Sequence, residues 1–159
     1  MRAVAVALFA AALALPAPVT AADKALPYWA SIVPGQARLR TGPGRNFPAT
    51  WLYQRRGLPL LVIGTYPNWR RVRDHEGTVG WMQANLLSER RTAIVTGATA
   101  RPLHARPASD ARIVWRVAPG VVGALSACDG DWCLLETGGK RGYVQKAGVW
   151  GVGRGERFR

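Results

Sequence analysis

The only two cysteines of the chain, Cys128 and Cys133, stand together in the stretch CDGDWC. Two thiols at this spacing could supply a redox pair, half of a metal site or a structural disulfide. A redox pair is more typically Cys-x-x-Cys at the start of a helix, and no helical pattern surrounds this stretch. Zinc usually needs four ligands, and neither His75 nor His104 has ligand spacing to the cysteines. We therefore predict no metal site and no cofactor.

Residues suited to catalysis are few. A serine triad needs a positioned histidine, but His75 lies in the polar turn DHEG and His104 near the start of a loop, so both are expected at the surface. Asp129 and Asp131 could form an acid pair, although Asp and Gly suit a tight turn without any catalytic role. We predict that the protein is not an enzyme and that it has no catalytic residue.

An internal repeat indicates which elements must position these residues. An offset of 63 residues aligns Trp69 with Trp132 and the first part of one copy with the first part of the other. In the last part of each copy the offset is 62 residues, which aligns Gly80 with Gly142. Matches in the same order predict a tandem of two units of about 55–60 residues, a size at which small domains can fold alone. The predicted boundaries are residues 28–90 for the first unit, 93–150 for the second, and 151–159 for a basic, flexible tail.

Each unit has the pattern of several short β-strands. Runs such as LPLLVIGTY and VVGALSAC are rich in branched and aromatic residues, and turn-forming stretches such as DHEG and GGK separate them. No segment beyond the N-terminus sustains the 3.6-residue apolar period of a helix. The pattern predicts an all-β fold of two small β-barrels, each ending in one helical turn, near residues 85–87 and 147–149.

The repeat places Cys128 and Cys133 on either side of a hairpin turn. TYPNWR in the first unit occupies the position of the cysteine stretch in the second, and both have the pattern of a turn between two strands. Facing residues of an antiparallel pair have Cα atoms about 4.5–5.5 Å apart, which suits a disulfide. We therefore predict a structural Cys128–Cys133 disulfide.

The order of several motifs resembles the bacterial SH3-like domain of the SH3b class. The motifs are LRTGPGRNFP (39–48), NWRRVRD (68–74), GTVGWMQANLL (77–87), RPLHARPASDA (101–111) and CDGDWCLLE (128–136). The resemblance covers both units and extends to exported bacterial proteins with two tandem copies. It implies a five- or six-stranded half-open barrel per unit. In wider relatives such units help cell-wall hydrolases to hold peptidoglycan, but no ligand residue is transferred, because ligand sites differ among these modules.

The first 21 residues have the layout of a secretory signal peptide. Arg2 is followed by an apolar run from Ala3 to Leu15 and by the small-residue pattern VTA, which ends at Ala21. The run of about 13 residues is shorter than the ~20 that span a bilayer, although an uncleaved anchor is the alternative. We expect cleavage after Ala21 or Ala22, export to the periplasm or the exterior, and no stable membrane span afterwards.

The charge balance favours anionic partners. Loss of Arg2 with the signal lowers Lys+Arg from 22 to 21 against 9 Asp+Glu, a net charge of about +12. Such a surface suits cell-wall polymer, lipopolysaccharide or anionic lipid, and export argues against nucleic acid. The alternative is that an arginine-rich composition indicates no particular partner.

The candidate ligand-binding residues combine tryptophan with arginine. A two-residue period places Trp69, Arg71 and Arg73 on the strand face opposite Val72. Arginine forks match carboxylates in a bidentate way, and tryptophan rings can stack on sugars or peptides. Alternatively, the tryptophan closes the end of the barrel and the arginines are merely solvated. The predicted binding residues are Trp69, Arg71, Arg73, Arg55, Arg56 and Trp132.

These observations predict a non-enzymatic binding protein of the cell envelope. Its expected partner is peptidoglycan or a wall-associated protein, since peptidoglycan supplies both carboxylates and apolar sugar faces. The alternative is a periplasmic protein–protein adaptor without affinity for wall polymer.

Overall fold

The computed structural model describes residues 24–159, so the predicted signal peptide at residues 1–21 lies outside the described residues. The described chain forms two antiparallel sheets of seven strands each, one after the other along the sequence. This arrangement confirms the predicted all-β fold with two tandem units.

The first unit contains seven strands and a single 3-10 turn, Ala84–Leu86. Their order across the sheet is β3-β2-β6-β5-β4-β1-β7. The first strand therefore lies between β4 and the short last strand β7. The strands are β1 (Tyr28–Ile32), β2 (Ala37–Arg40), β3 (Ala49–Tyr53), β4 (Pro59–Tyr66), β5 (Trp69–Arg73), β6 (Val79–Gln83) and β7 (Leu87–Ser88).

The second unit repeats this topology strand by strand. Its order is β10-β9-β13-β12-β11-β8-β14, and its 3-10 turn is Lys146–Gly148. Both 3-10 turns begin one residue before the predicted helical turns. The strands are β8 (Thr92–Val95), β9 (Arg101–His104), β10 (Ile113–Val117), β11 (Val122–Asp129), β12 (Trp132–Thr137), β13 (Lys140–Gln145) and β14 (Val149–Trp150).

Each unit has its own apolar core, and a glycine is essential to the packing of each. A Cβ atom on Gly80 would lie 2.5 Å from Cγ of Leu39, and one on Gly142 would lie 2.7 Å from Cβ of Leu103. Because such contacts are sterically excluded, the glycine that precedes Trp81 or Tyr143 lets two strands approach. The first core includes Ile32, Leu39, Leu60, Val62, Val72 and Met82, and the second includes Val95, Leu103, Leu125, Leu135 and Val144.

The two units share a packed junction. Ile94 is part of the first unit's core cluster, and Val122 and Trp150 of the second unit pack against it. The Trp150 ring meets the edge of Trp29 with centroids 4.7 Å apart and planes at 88°. Edge-to-face aromatic pairs add to the free energy of area burial. The two units, which a short connection joins, are therefore packed against each other.

The segment 151–159 contacts the rest of the described chain at several points. Phe158 and Cys128 exchange both backbone hydrogen bonds, with N–O distances of 2.9 and 3.1 Å. Glu156 forms an ion pair with Arg91, and the Lys146 Nζ donates to the Glu156 carbonyl at 2.6 Å. These contacts join the tail to residues far away in the sequence.

Candidate functional site

Strand β5 exposes the two arginines that were predicted to be exposed, but its first residue, Trp69, is buried. Val72 is fully buried, whereas Arg71 and Arg73 on the opposite side are exposed, as the two-residue period predicts. Trp69 is only 8% exposed, so its ring is not the half-exposed surface that a hairpin exit suggests. It lines a cavity of about 260 Å³ with neighbours that include Arg38 and Leu86. Strand β2 and the 3-10 turn thus close over the ring.

The aromatic partner of the arginines is Trp81, which is half-buried. The strand register places Arg71 opposite Trp81 and Trp81 opposite Arg40, so the three residues form one row across β5, β6 and β2. Tyr66 is 55% exposed and meets the Trp81 ring edge-on, with centroids 6.4 Å apart. We call the surface made by Arg40, Tyr66, Arg71, Arg73 and Trp81 the arginine–aromatic face.

Among the residues that the structure describes, no carboxylate forms an ion pair with the arginine–aromatic face. The ion pairs of residues 24–159 join Lys24 with Glu89, Arg91 with Glu156, and Arg157 with Asp129. Arg40 donates to the carbonyl of Phe47 at 2.7 Å, which holds the guanidinium in place without cancelling its charge. The face therefore combines fixed positive charge with two aromatic rings, the requirement for an anionic ligand that also has an apolar surface.

The second unit replaces this face with a different row. Tyr143 stands opposite His104 on one side and Leu134 on the other. His104 is buried rather than at the surface, because it lies within β9, where its Nδ1 is 2.8 Å from the Ala111 carbonyl. Trp132, half-buried, meets the His104 ring edge-on at 5.3 Å. The arginines are absent, so this row cannot hold a carboxylate in the same way.

The C-terminal tail covers part of the second unit's row. A cavity of about 590 Å³ is lined by Trp132 and Tyr143 together with Arg157 and Phe158 of the tail. Trp81 of the first unit and Tyr143 of the second are both half-buried. The two related surfaces therefore differ in the tail contacts and in the arginines, which only the first unit carries in its row.

The remaining predicted residues lie at the junction between the units. The Arg55 Nη1 donates to the carbonyl of Gly120 at 2.6 Å, which links one unit to the other. Arg56 lines a cleft between the units. The structure therefore divides the predicted residues among the arginine–aromatic face, the junction and the second unit, and does not gather them into one surface.

Two exposed tryptophans occupy equivalent positions that sequence reasoning did not assign. Trp51 on β3 is 55% exposed, and Trp115 on β10 is 44% exposed. Each stands opposite a buried leucine of the neighbouring strand, Leu39 or Leu103. Their correspondence was detectable, because an offset of 64 residues aligns Trp51 with Trp115 and Leu39 with Leu103.

The cysteines form the predicted disulfide. Cys128 and Cys133 are register partners across β11 and β12, their Cα atoms are 4.1 Å apart, and a disulfide bond joins them. No group of three or more residues able to ligate a metal occurs in the described part of the chain. Within residues 24–159, no helix has the length and apolar character required to cross a membrane.

A family model described as a bacterial SH3 domain matches residues 33–89 and again residues 98–151. The two matches fall in the two units and confirm the resemblance drawn from the motifs. No curated protein matches the chain.

Two of the solved structures to which the chain is similar are an NlpC protein and an NlpC/P60 family protein. NlpC1 from Trichomonas vaginalis is 11% identical, with a TM-score of 0.36, over 81% of this chain and 47% of that chain. An NlpC/P60 family protein from Bacillus cereus is 14% identical, with a TM-score of 0.35, over 77% of this chain and 55% of that chain. The present chain thus spans about half the length of these structures.

Proposed function

Because the chain belongs to the bacterial SH3 domain family, with one copy in each unit, we propose that it is a non-enzymatic binding module of the cell envelope. Its ligand in this proposal is peptidoglycan, held on the arginine–aromatic face of the first unit. The observation that carries the proposal is the row in which Trp81 lies between Arg71 and Arg40, with neither arginine in an ion pair within residues 24–159.

The chemistry of this face fits the two kinds of group that peptidoglycan presents. The guanidinium groups of Arg71 and Arg73 offer paired N–H donors to stem-peptide carboxylates. The rings of Tyr66 and Trp81 offer apolar area to the sugar faces. Trp69 has a supporting role in this arrangement, because its buried ring fixes the start of β5.

Two features support export to a compartment that contains the wall. The first 21 residues have the signal-peptide layout, and the Cys128–Cys133 disulfide is typical of an oxidising compartment. The periplasm or the exterior of the cell is therefore the proposed location.

Retention on purified sacculi tests the proposal. We expect the purified protein to sediment with sacculi at ~0.15 M salt, and Arg71→Glu or Trp81→Ala to reduce the retained fraction at least fivefold. Arg116→Glu is the matched control, since Arg116 is exposed on β10 of the second unit and the charge change is identical. Its retention should remain close to that of the unchanged protein.

Two results would count against this function. Equal loss of retention in Arg71→Glu and Arg116→Glu would mean that general charge attraction holds the protein to the wall. Absence of retention at ~0.15 M salt would favour a periplasmic adaptor that binds another protein.

A further inference from the structure

A cleft of about 670 Å³ lies between the two units, away from the arginine–aromatic face. Its floor is formed where the units touch. A Cβ atom on Gly57 would lie 3.8 Å from Cγ1 of Val122 and 3.9 Å from Cγ2 of Thr92. Gly57 also needs its backbone freedom, because its φ is 76°. The volume falls in the range of sites that hold small organic ligands.

One wall of the cleft comes from the second unit and carries one negative charge. Ala124 stands opposite Thr92 on β8 and opposite Glu136 on β12, so these three residues form a row across the sheet. The small Ala124 side chain leaves the space between its neighbours open. Glu136 is exposed, and it is the one acidic residue among those that line the cleft.

The first unit and the connection bring two positive charges to the cleft. Arg56 and Arg90 line it, and both are exposed. Ser31 and Ser88 also line the cleft, and their hydroxyl oxygens are 3.1 Å apart. None of the ion pairs within residues 24–159 includes Arg56, Arg90 or Glu136. The cleft therefore presents two cations and one anion that have no ion-pair partner in the described part of the chain.

We infer that this cleft binds a short peptide with free termini, with its carboxylate at Arg56 and Arg90 and its ammonium at Glu136. A guanidinium is suited to a carboxylate, and the carboxylate of Glu136 is suited to an ammonium. The charges of the cleft also fix the direction of the bound peptide, because reversal would place like charges together.

The lining residues indicate that the ends of the peptide matter more than its side chains. Apart from the charged residues, the walls consist mainly of small side chains and backbone, including Ala124 and the turn Gly138–Gly139. Such a surface has no deep apolar pocket that would select one large side chain. Alanine peptides therefore contain everything the cleft is inferred to recognise.

Calorimetric titration of the purified full-length protein with alanine di-, tri- and tetrapeptide tests the inference. We expect saturable binding of at least one of them, with a Kd on the order of 1 mM or tighter. Arg56→Gln and Arg90→Gln should each weaken binding at least fivefold, and Glu136→Gln should do the same. Arg116→Gln, which removes an exposed arginine outside the cleft, should leave the Kd unchanged.

Binding of peptides with one blocked terminus tests which residue each terminus contacts. An N-acetyl peptide should bind more weakly than the free peptide and be insensitive to Glu136→Gln. A peptide amide should bind more weakly and be insensitive to Arg56→Gln. The inference is overturned if no alanine peptide binds at ~10 mM, if the blocked peptides bind as well as the free one, or if Arg116→Gln has the same effect as Arg56→Gln.

This inference is separable from wall binding at the arginine–aromatic face. Arg71→Glu should leave the Kd of the alanine peptide unchanged, and Arg56→Gln should leave retention on sacculi unchanged. Loss of both properties in either variant would contradict the assignment of two sites.

Discussion

At the scale of single residues, the first unit depends on a buried hydrogen bond that the second unit lacks. The Tyr53 hydroxyl donates to Oδ2 of Asp74 at 2.8 Å, and Oδ1 of Asp74 accepts the N–H groups of Glu76 at 3.0 Å and Thr78 at 2.8 Å. Asp74 thereby holds the turn between β5 and β6. The repeat places Thr137 at the position of Asp74. Asp74 therefore has a structural role in the turn, which the composition of the turn does not indicate.

This hydrogen bond predicts a loss of stability at high pH. Burial and then the hydrogen bond to Asp74 raise the pKa of Tyr53 above its ordinary value of 10.0. A raised pKa means that folding favours the neutral phenol, so its contribution is complete below pH 10.0 and is lost as the pH rises above that value. Denaturant unfolding from pH 8 to pH 11.5 should show this decline.

Two variants separate Tyr53 from the other tyrosines. Tyr53→Phe should lower the free energy of unfolding by about 1–2 kcal/mol at pH 7 and flatten the alkaline decline. Tyr66→Phe should change neither, because Tyr66 is 55% exposed. If Tyr53→Phe declines as steeply as the unchanged protein, the alkaline loss has another origin.

At the scale of elements, the tail extends the edge of the second sheet by one β-bridge. Strand β11 pairs with β8 only through residues 122–124, so its later edge is open until Phe158 pairs with Cys128. The Arg91 guanidinium lies over the Phe158 ring, 4.6 Å from the centroid, and also pairs with Glu156. One arginine from the connection between the units thus fixes two tail residues.

The ion pair predicts that acid releases the tail. Burial alone would raise the pKa of Glu156, but hydrogen bonds from Arg91 and the Gly153 N–H, with the charges of Arg91 and Lys146, lower it below its ordinary value of 4.5. A lowered pKa means that the contribution is present above pH 4.5 and is lost as the pH falls through the lowered pKa.

Hydrogen exchange at the Cys128 and Phe158 amides measures the release. Glu156→Gln should increase both exchange rates at neutral pH about tenfold, because the charge-assisted bonds to Arg91 are lost. Glu89→Gln is the control, since Glu89 pairs with Lys24 at an exposed position. Unchanged exchange in Glu156→Gln would show that the backbone bonds and Phe158 hold the tail without the ion pair.

At the scale of the whole molecule, the junction predicts that the two units unfold together. Ile94, Val122 and Trp150 of the second unit pack against the core of the first, and Arg55 donates across the junction to Gly120. A shared apolar interface couples the stability of its two sides. Calorimetry of the unchanged protein should therefore show a single unfolding transition.

Trp150→Ala should weaken this coupling. Loss of the half-buried ring and of its edge contact with Trp29 should remove about 2 kcal/mol and broaden or split the transition. Trp115→Ala, which removes a ring that is 44% exposed and outside the junction, should leave a single transition. Two transitions in the unchanged protein would contradict the coupling.

The sequence by itself determined the duplication, the all-β fold and the disulfide. These features depend on local order: glycines and aromatic residues recur at one offset, and a hairpin places Cys128 opposite Cys133 whatever the rest of the chain does. The alternation on β5 was also readable, since a two-residue period separates Val72 from Arg71 and Arg73.

Only the tertiary structure decided which side chains are buried and which pairs of distant residues are in contact. Trp69 is buried by β2 and the 3-10 turn, although its own strand leaves it on the outer face. Arg91 pairs with Glu156 and Arg55 meets Gly120, in each case across 65 residues. Contacts at such separations depend on how whole sheets pack, and no short-range pattern records them. The tail contacts, the arginine–aromatic face and the cleft between the units all follow from that packing.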